Sequence, residues 1–400
     1  MLNGISSKEL YRNVINFKSS PRTLKWEWSY WGGTLDRWYK EGLPEKKGLT
    51  QKPTYGESVR GYFVDPFEKN RKGKLVLDYD VAEYFSLDRG YLFLPYKFFY
   101  FLEFEEKIVY ENENYIEKYN ELGIKIRTLK DESSMPMWLE YPVVDRKSWE
   151  TIKRERLNVD NIMSRFDGSI DNFLKVLKEE NLPVYLGDFY GFFGGLRFLM
   201  GEVKLFMTYY DDPSLIKDIN KHLLNIWLAI SEELISKIEF DAAYFWEDMS
   251  GKNGSLISPA TFREFMTPYY SKITDFLKAK GIIKIGVDTD GDVQELIPLF
   301  LEAGVNMMFP FEQQAGNDLI QYRKKYPELV MIGGFDKNTL SKGRENIDRE
   351  LEKMEWLISQ GGYIPFCDHA VPPDASWENY KYYRQKLNNI IESTKVEPIN

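Results

Sequence analysis

The sequence predicts an α/β chain folded as a (β/α)8 TIM barrel with an N-terminal elaboration over the barrel mouth. From Leu182 onward, short β-rich apolar runs that end in an acid alternate with longer amphipathic stretches over six units, the pattern of a parallel sheet. No Gly-x-Gly-x-x-Gly follows any of the six runs, and Gly191-Phe-Phe-Gly-Gly has the wrong spacing, which speaks against a dinucleotide fold. An early strand candidate at 23–31 leaves room for eight units rather than six.

In chain order the strands are predicted at 184–188, 243–248, 283–290, 306–312, 330–336 and 363–369. Between them the apolar spacing predicts helices over 213–238, 259–280, 293–303, 317–326, 344–360 and 377–393. Asp212 before Pro213 and Ser258 before Pro259 have the form of an N-cap followed by proline at the first helical position. Gly281, Gly304 and Gly361 stand where helices should stop. Residues 45–150 are less periodic, with charge-rich pieces at 68–74 and 103–118, and read as the elaboration. The chain is expected to be one domain over 1–400, with the N-terminal strand and elaboration in roughly 1–150 and the regular βα units in roughly 182–395.

Composition narrows the function. A net charge of −9 argues against binding nucleic acid, which needs a basic surface to displace phosphate counterions. No apolar run approaches a membrane span, and the first residues lack the apolar core of a signal peptide, so a cytoplasmic protein without a membrane role is expected. A single cysteine excludes an internal disulfide and a Cys-rich zinc module; a metal would have to use carboxylates and histidine. Aromatic residues make up 16% of the chain, which suits a thick core or a pocket for a flat apolar ligand.

In a barrel the chemistry gathers at the strand C-terminal ends, and there this sequence places Asp188, Glu247 and Asp248, Asp288 and Asp290, Glu312, Asp336, Asp368 and His369. So many anions on one rim repel unless a metal, a cationic substrate or protons compensate. Asp288-Thr-Asp-Gly-Asp presents residues i and i+2 to one face, with Gly291 allowing a sharp turn; no EF-hand glutamate follows at the required offset. Cys367 reads as a small packed hydrophobe, whereas His369 at the rim reads as functional and His222, on a helix, as solvated. Glu247 is expected as a ligand or general base.

Taken together, these segments resemble the uroporphyrinogen decarboxylase-like superfamily, which includes the decarboxylase and corrinoid-dependent methyltransferases. The resemblance runs through Trp26-Glu-Trp-Ser-Tyr-Trp, Thr34-Leu-Asp-Arg-Trp-Tyr-Lys-Glu-Gly-Leu-Pro, Tyr84-Phe-Ser-Leu-Asp, Met135-Pro and Trp246-Glu-Asp-Met. It continues through Leu256-Ile-Ser-Pro, Asp288-Thr-Asp-Gly-Asp, Glu302-Ala-Gly-Val-Asn, Gly333-Gly-Phe-Asp-Lys, Gly361-Gly-Tyr-Ile-Pro and Asp368-His-Ala-Val-Pro-Pro. It implies a TIM barrel with its site at the strand C-termini. Two departures matter. Where the decarboxylases carry an arginine-rich signature that clamps the acidic side chains of their tetrapyrrole, this chain has Glu27-Trp-Ser-Tyr-Trp-Gly-Gly. Where the zinc methyltransferases carry His-x-Cys-Gly, it has Asp288-Thr-Asp-Gly, with His369 at the later ligand position.

The expected function is therefore a methyltransferase that moves a methyl group from a small methoxylated or methylated substrate to the corrinoid of a partner protein. Alternatives are a decarboxylase of uroporphyrinogen or a smaller acid, and a ligand-binding barrel without catalysis. His369, Glu247 and Asp290 are the expected catalytic residues. Trp26, Trp28, Tyr30, Trp31, Asp188, Trp246 and Glu312 are the expected substrate contacts. Asp288, Asp290, His369 and Glu247 are candidate ligands for a divalent metal, with zinc left open, and a homodimer is an assembly open to the chain.

Overall fold

A computed structural model describes residues 5–61, 63–64, 76–92, 94–130, 135–160 and 162–397. The charge-rich piece at 68–74 lies outside the described residues. At the centre is a six-stranded parallel sheet whose strands lie in sequence order: β1 (Tyr185–Tyr190), β2 (Ala242–Trp246), β3 (Ile285–Asp288), β4 (Met307–Phe309), β5 (Val330–Ile332) and β6 (Tyr363–Ile364). All six fall inside or beside their predicted spans. Several are shorter than predicted, because the acid-bearing residues at their ends leave the hydrogen-bonded ladder and turn toward the loops.

Each edge of this sheet meets the N-terminal part of the chain. Beyond β6, Val371 bridges Tyr30 in parallel, with Trp31 N–H donating to Val371 O at 3.2 Å and Val371 N–H to Ser29 O at 2.9 Å. Beyond β1, Leu92 bridges Val184 in parallel, its N–H donating to Pro183 O at 2.7 Å. The early strand is real but short, Ser29–Trp31, and pairs antiparallel with Ser58–Arg60. The charge-rich piece at 103–118 belongs to a four-stranded antiparallel meander formed by Lys107–Glu111, Tyr115–Tyr119, Lys125–Leu129 and Met137–Glu140.

Helices cover the sheet as the periodicity requires. Pro213–Ile235 is capped by Asp212, whose side chain accepts from Leu215 N–H, and it lays Trp227 against Phe189 and Phe245 at ring separations of 5.6 and 5.8 Å. Ser258 caps the next helix by accepting from Thr261 N–H. The predicted helix 259–280 is two helices, Pro259–Phe265 and Thr267–Ala279, because Pro268 has no N–H to continue the first and instead starts the second. Among the described residues no helix is long and apolar enough to cross a membrane.

One buried ionic cluster ties the chain's two ends together. Glu27, fully buried, accepts from Cys367 N–H at 3.0 Å and from the Tyr380 and Tyr383 hydroxyls at 3.3 Å, and faces the Arg384 guanidinium at 3.8 Å. Arg384 also donates to Trp26 O at 2.8 Å, so the final helix, Trp377–Ser393, is fastened to the N-terminal segment. Burial holds the Glu27 carboxyl above its ordinary range despite Arg384. Removing one partner of a buried pair costs about 3–5 kcal/mol because the other charge is stranded. Arg384→Met is therefore expected to lower the urea-unfolding free energy by about that amount near neutral pH. The loss should shrink at acid pH, where Glu27 can take a proton; equal losses at both pH values would contradict this.

Candidate active site

A bulge at the end of β1 builds the first part of the site. The register with β2 shifts between Gly187 and Phe189, and the extra residue is Asp188. Gly187 and Asp188 both adopt positive φ, 128° and 124°, and a Cβ on Gly187 would lie 2.2 Å from Tyr244 O on the neighbouring strand. The strained turn rotates the Asp188 carboxylate out of the sheet and into a cavity of about 390 Å³ at the C-terminal ends of the strands.

Four aspartates, Asp188, Asp248, Asp288 and Asp290, line this cavity together with His369, and its walls are aromatic: Trp28, Trp31, Tyr91, Tyr185, Tyr244, Trp246 and Phe309. Arg60 is the one Lys or Arg among the described lining residues, and its guanidinium lies 5.3 Å from the Trp28 ring centre. Asp248 is balanced from outside by Arg197, Nη1 to Oδ2 at 2.6 Å. The others have less compensation. Burial and the nearby Asp290 and Asp248 push Asp288 well up, against the pull of Arg60 and a hydrogen bond from Tyr244. Burial also raises Asp188, with Arg60 opposing. Asp290 is pushed up to about 8 by burial, then by Glu312 and Asp248.

His369 sits edge-on to Trp28, at 4.8 Å between ring centres, and 6.0 Å from Trp31, with Nε2 3.8 Å from Asp290 Oδ2. Burial and the cations Lys337 and Arg60 push His369 down to about 3. At neutral pH the proton of this pair therefore rests on Asp290, and the contact joins a carboxylic acid to a neutral imidazole.

The structure thus brings together Trp28, Trp31, Asp188, Trp246, Asp288, Asp290 and His369 from the sequence expectations. It places Glu247, Trp26, Tyr30 and Glu312 elsewhere. Glu247 is fully buried behind the wall, where its two oxygens accept from the N–H groups of Phe192, Phe193 and Gly194 at 2.7–2.8 Å and from the Tyr270 hydroxyl. A Cβ on Gly191 would lie 1.9 Å from its Cδ, so this carboxyl fills the loop and is set aside as a ligand or base. Trp26 packs beneath the floor on Tyr11, and Tyr30 hydrogen-bonds Tyr380 at 3.2 Å in the core. Glu312 accepts from Gly291 N–H at 3.0 Å and pairs with Lys337 at 3.2 Å, bracing the turn that carries Asp290. Cys367 is buried, as its apolar reading required, and Asp368 accepts from the N–H groups of Gln313 and Lys337. His222 is not solvated: it is half-buried, with Nε2 2.6 Å from Leu157 O and its ring against Trp149.

Among the described residues no three His, Cys, Asp or Glu side chains are grouped to hold a metal ion. Glu247 faces the loop behind the wall, away from Asp288, Asp290 and His369, so the four expected ligands do not converge on one point.

Sequence reasoning placed Asp248 at the rim without giving it a role, and missed Arg60 and the tyrosines. The signal for the side of Asp248 was present: residues two apart on a strand share a face, so with Trp246 facing the cavity, Asp248 shares its side and Glu247 opposes it. Arg60 comes from the irregular N-terminal region, where no periodicity points to it.

A model of the uroporphyrinogen decarboxylase (URO-D) family matches residues 172–389, more than half of the chain. The chain belongs to the URO-D family. Within this URO-D protein the matched stretch contains the whole parallel sheet and the cavity's aspartates and histidine. Among solved structures, a methyltransferase from Methanosarcina mazei is similar at 15% identity and TM-score 0.47, covering 67% of this chain and 76% of that one. A sugar phosphate isomerase/epimerase from Parabacteroides distasonis is similar at 13% identity and TM-score 0.33, covering 56% and 82%. No curated protein matches the chain.

The raised carboxyls fix the sign of the pH dependence. A group whose pKa is higher in the folded state binds more protons there, so its contribution is full below the unfolded value near 4 and is lost as pH rises through the folded value. For Glu247 and Asp368 that value is about 7, and for Asp290 about 8. The urea midpoint is expected to fall between about pH 5 and 9, and Asp290→Asn to flatten the fall. A midpoint that rises over this range would contradict the assignment.

Proposed function

We propose that this URO-D protein is a cytoplasmic methyltransferase that moves a methyl group from a small methoxylated or methylated substrate to a reduced corrinoid carried by a partner protein. In this reading the site lies at the mouth of a (β/α)8 barrel completed by the N-terminal strands that bridge both edges of the parallel sheet. The observation that carries the proposal is the pair of Asp290, in its acid form, and neutral His369 inside a small aromatic-walled cavity. Transfer of a methyl group leaves its bonding electron pair on oxygen or nitrogen, and a carboxylic acid with a pKa near the working pH is suited to protonate that atom. The corrinoid supplies the cobalt nucleophile that accepts the methyl.

The remaining residues have roles that fit this chemistry. Trp28, Trp31 and Trp246 exclude water and hold the apolar part of the donor; His369, neutral and wedged between rings, orients the Asp290 proton. About 390 Å³ is at the small end of ligand cavities, which suits a small donor and keeps a corrin at the mouth. A tetrapyrrole with acidic side chains fits poorly, since among the described residues this cavity offers it four aspartates and one lining arginine.

The test is to incubate the protein with reduced corrinoid protein and a panel of methoxylated and methylated compounds, following the cobalt spectrum. Methylation by the wild type is expected, with Asp290→Asn lowering kcat by about 10²-fold or more while KM changes little. Absence of methylation across the panel with a competent partner, or full activity in Asp290→Asn, would reject the reading.

A further inference from the structure

We propose that the methyl donor is a methylated ammonium ion, whose positive charge is held by Asp188 inside the aromatic walls of the cavity. This deepens the methyl-transfer reading and rests on it for the reaction, though not for the binding. Asp188 is the observation that points to a ligand. Among the described residues no hydrogen-bond donor reaches its carboxylate, and Arg60 is the charge that acts on it. Of the other carboxyls near the strand ends, Glu247 takes four donors, Asp368 two backbone N–H groups and Asp288 the Tyr244 hydroxyl, while Asp290 meets His369 at 3.8 Å; Asp188 is open to the cavity. A strained bulge, with a glycine that tolerates no Cβ, aims this carboxylate into a space where no described residue gives it a donor.

The walls suit the same ligand. A quaternary or tertiary methylammonium has a diffuse charge with no N–H, or only one, to donate, so it is recognised by a carboxylate together with ring faces rather than by a hydrogen-bond network. Tyr185, Tyr244, Trp246, Trp28 and Trp31 supply rings around the cavity, and Arg60 against Trp28 shows that one of these faces already holds a cation. An anionic ligand would meet four aspartates, and a neutral one would leave Asp188 without a partner. In the reaction the C–N bond breaks, its electron pair stays on nitrogen, and the methyl passes to the reduced corrinoid. The amine leaves neutral, and its lone pair is where the Asp290 proton goes.

The experiment measures binding by calorimetry with the full chain, comparing choline with 3,3-dimethylbutan-1-ol, which has carbon in place of the charged nitrogen. Choline is expected to bind at least about 10-fold more tightly, a difference of about 1.4 kcal/mol. Asp188→Asn, checked for folding by circular dichroism, is expected to abolish the preference, whereas Asp290→Asn should keep it. Equal binding of the two compounds, no binding of either, or a preference that persists in folded Asp188→Asn would each overturn the proposal. If Asp188→Asn does not fold, the wild-type preference decides alone. Loss of the cation preference alongside methylation from neutral donors would reject this inference and leave the methyl-transfer reading standing. Choline binding without any methylation would do the reverse.

Discussion

Carboxyl groups crowded into a space with too few counter-charges set the terms for the rest of this molecule. Asp188, Asp288 and Asp290 face one cavity in which Arg60 is the one Lys or Arg among the described lining residues; Arg197, outside the lining, is committed to Asp248. Full ionisation there would set like charges against each other in a poorly screened interior. Protons answer that constraint, which is why Asp290 is an acid beside a neutral His369 rather than half of an ion pair. The chemistry proposed for the site follows from the same fact. An acid that holds its proton near neutral pH can give it to a leaving atom, and a carboxylate without donors can hold a cation.

The scaffold makes this crowding tolerable by keeping its other buried carboxyls fully occupied. Glu247 fills the loop after β1 with four donors, so the helix Gly194–Met200 starts in a fixed place and Trp246 and Asp248 are held on the cavity side. Asp368 grips two loops through their backbone N–H groups, and His369, next in sequence, is thereby turned inward. Glu27 joins the N-terminal segment to the last helix and so fixes Trp28 and Trp31 against His369. Acids at strand ends thus divide into two kinds: those with every lone pair used, which position the walls, and those left facing the cavity.

Much of this division was legible in the sequence, and the failures have physical reasons. The six parallel strands and their helices follow from apolar periodicity, and the pairing of Asp290 with His369 follows from strand-end placement. Glu247 was misjudged because an acid at a strand end looks the same whether its face is the cavity or the loop behind it; only the alternation with Trp246 distinguishes them. Trp26 and Tyr30 were over-read because alternation groups them with Trp28, whereas only Ser29–Trp31 is a strand and it is Trp28 and Trp31 that reach the cavity. The bulge at Asp188 reverses the alternation of β1, and Arg60 arrives from a region without repeat. Neither is encoded by periodicity; both depend on tertiary contacts with Tyr244 and Trp28.

The claim on which the account turns is that a cavity carboxyl is protonated at neutral pH. Infrared spectroscopy of the carboxyl carbonyl stretch, comparing wild type with Asp290→Asn across a pH titration, reads that proton directly. Beside the absorption of other raised carboxyls such as Glu247 and Asp368, the account predicts a protonated-carboxyl component at pH 7 that fades as pH rises through about 8 and is missing from the variant. A wild-type spectrum at pH 7 with every carboxyl ionised, or an identical band in Asp290→Asn, would contradict it.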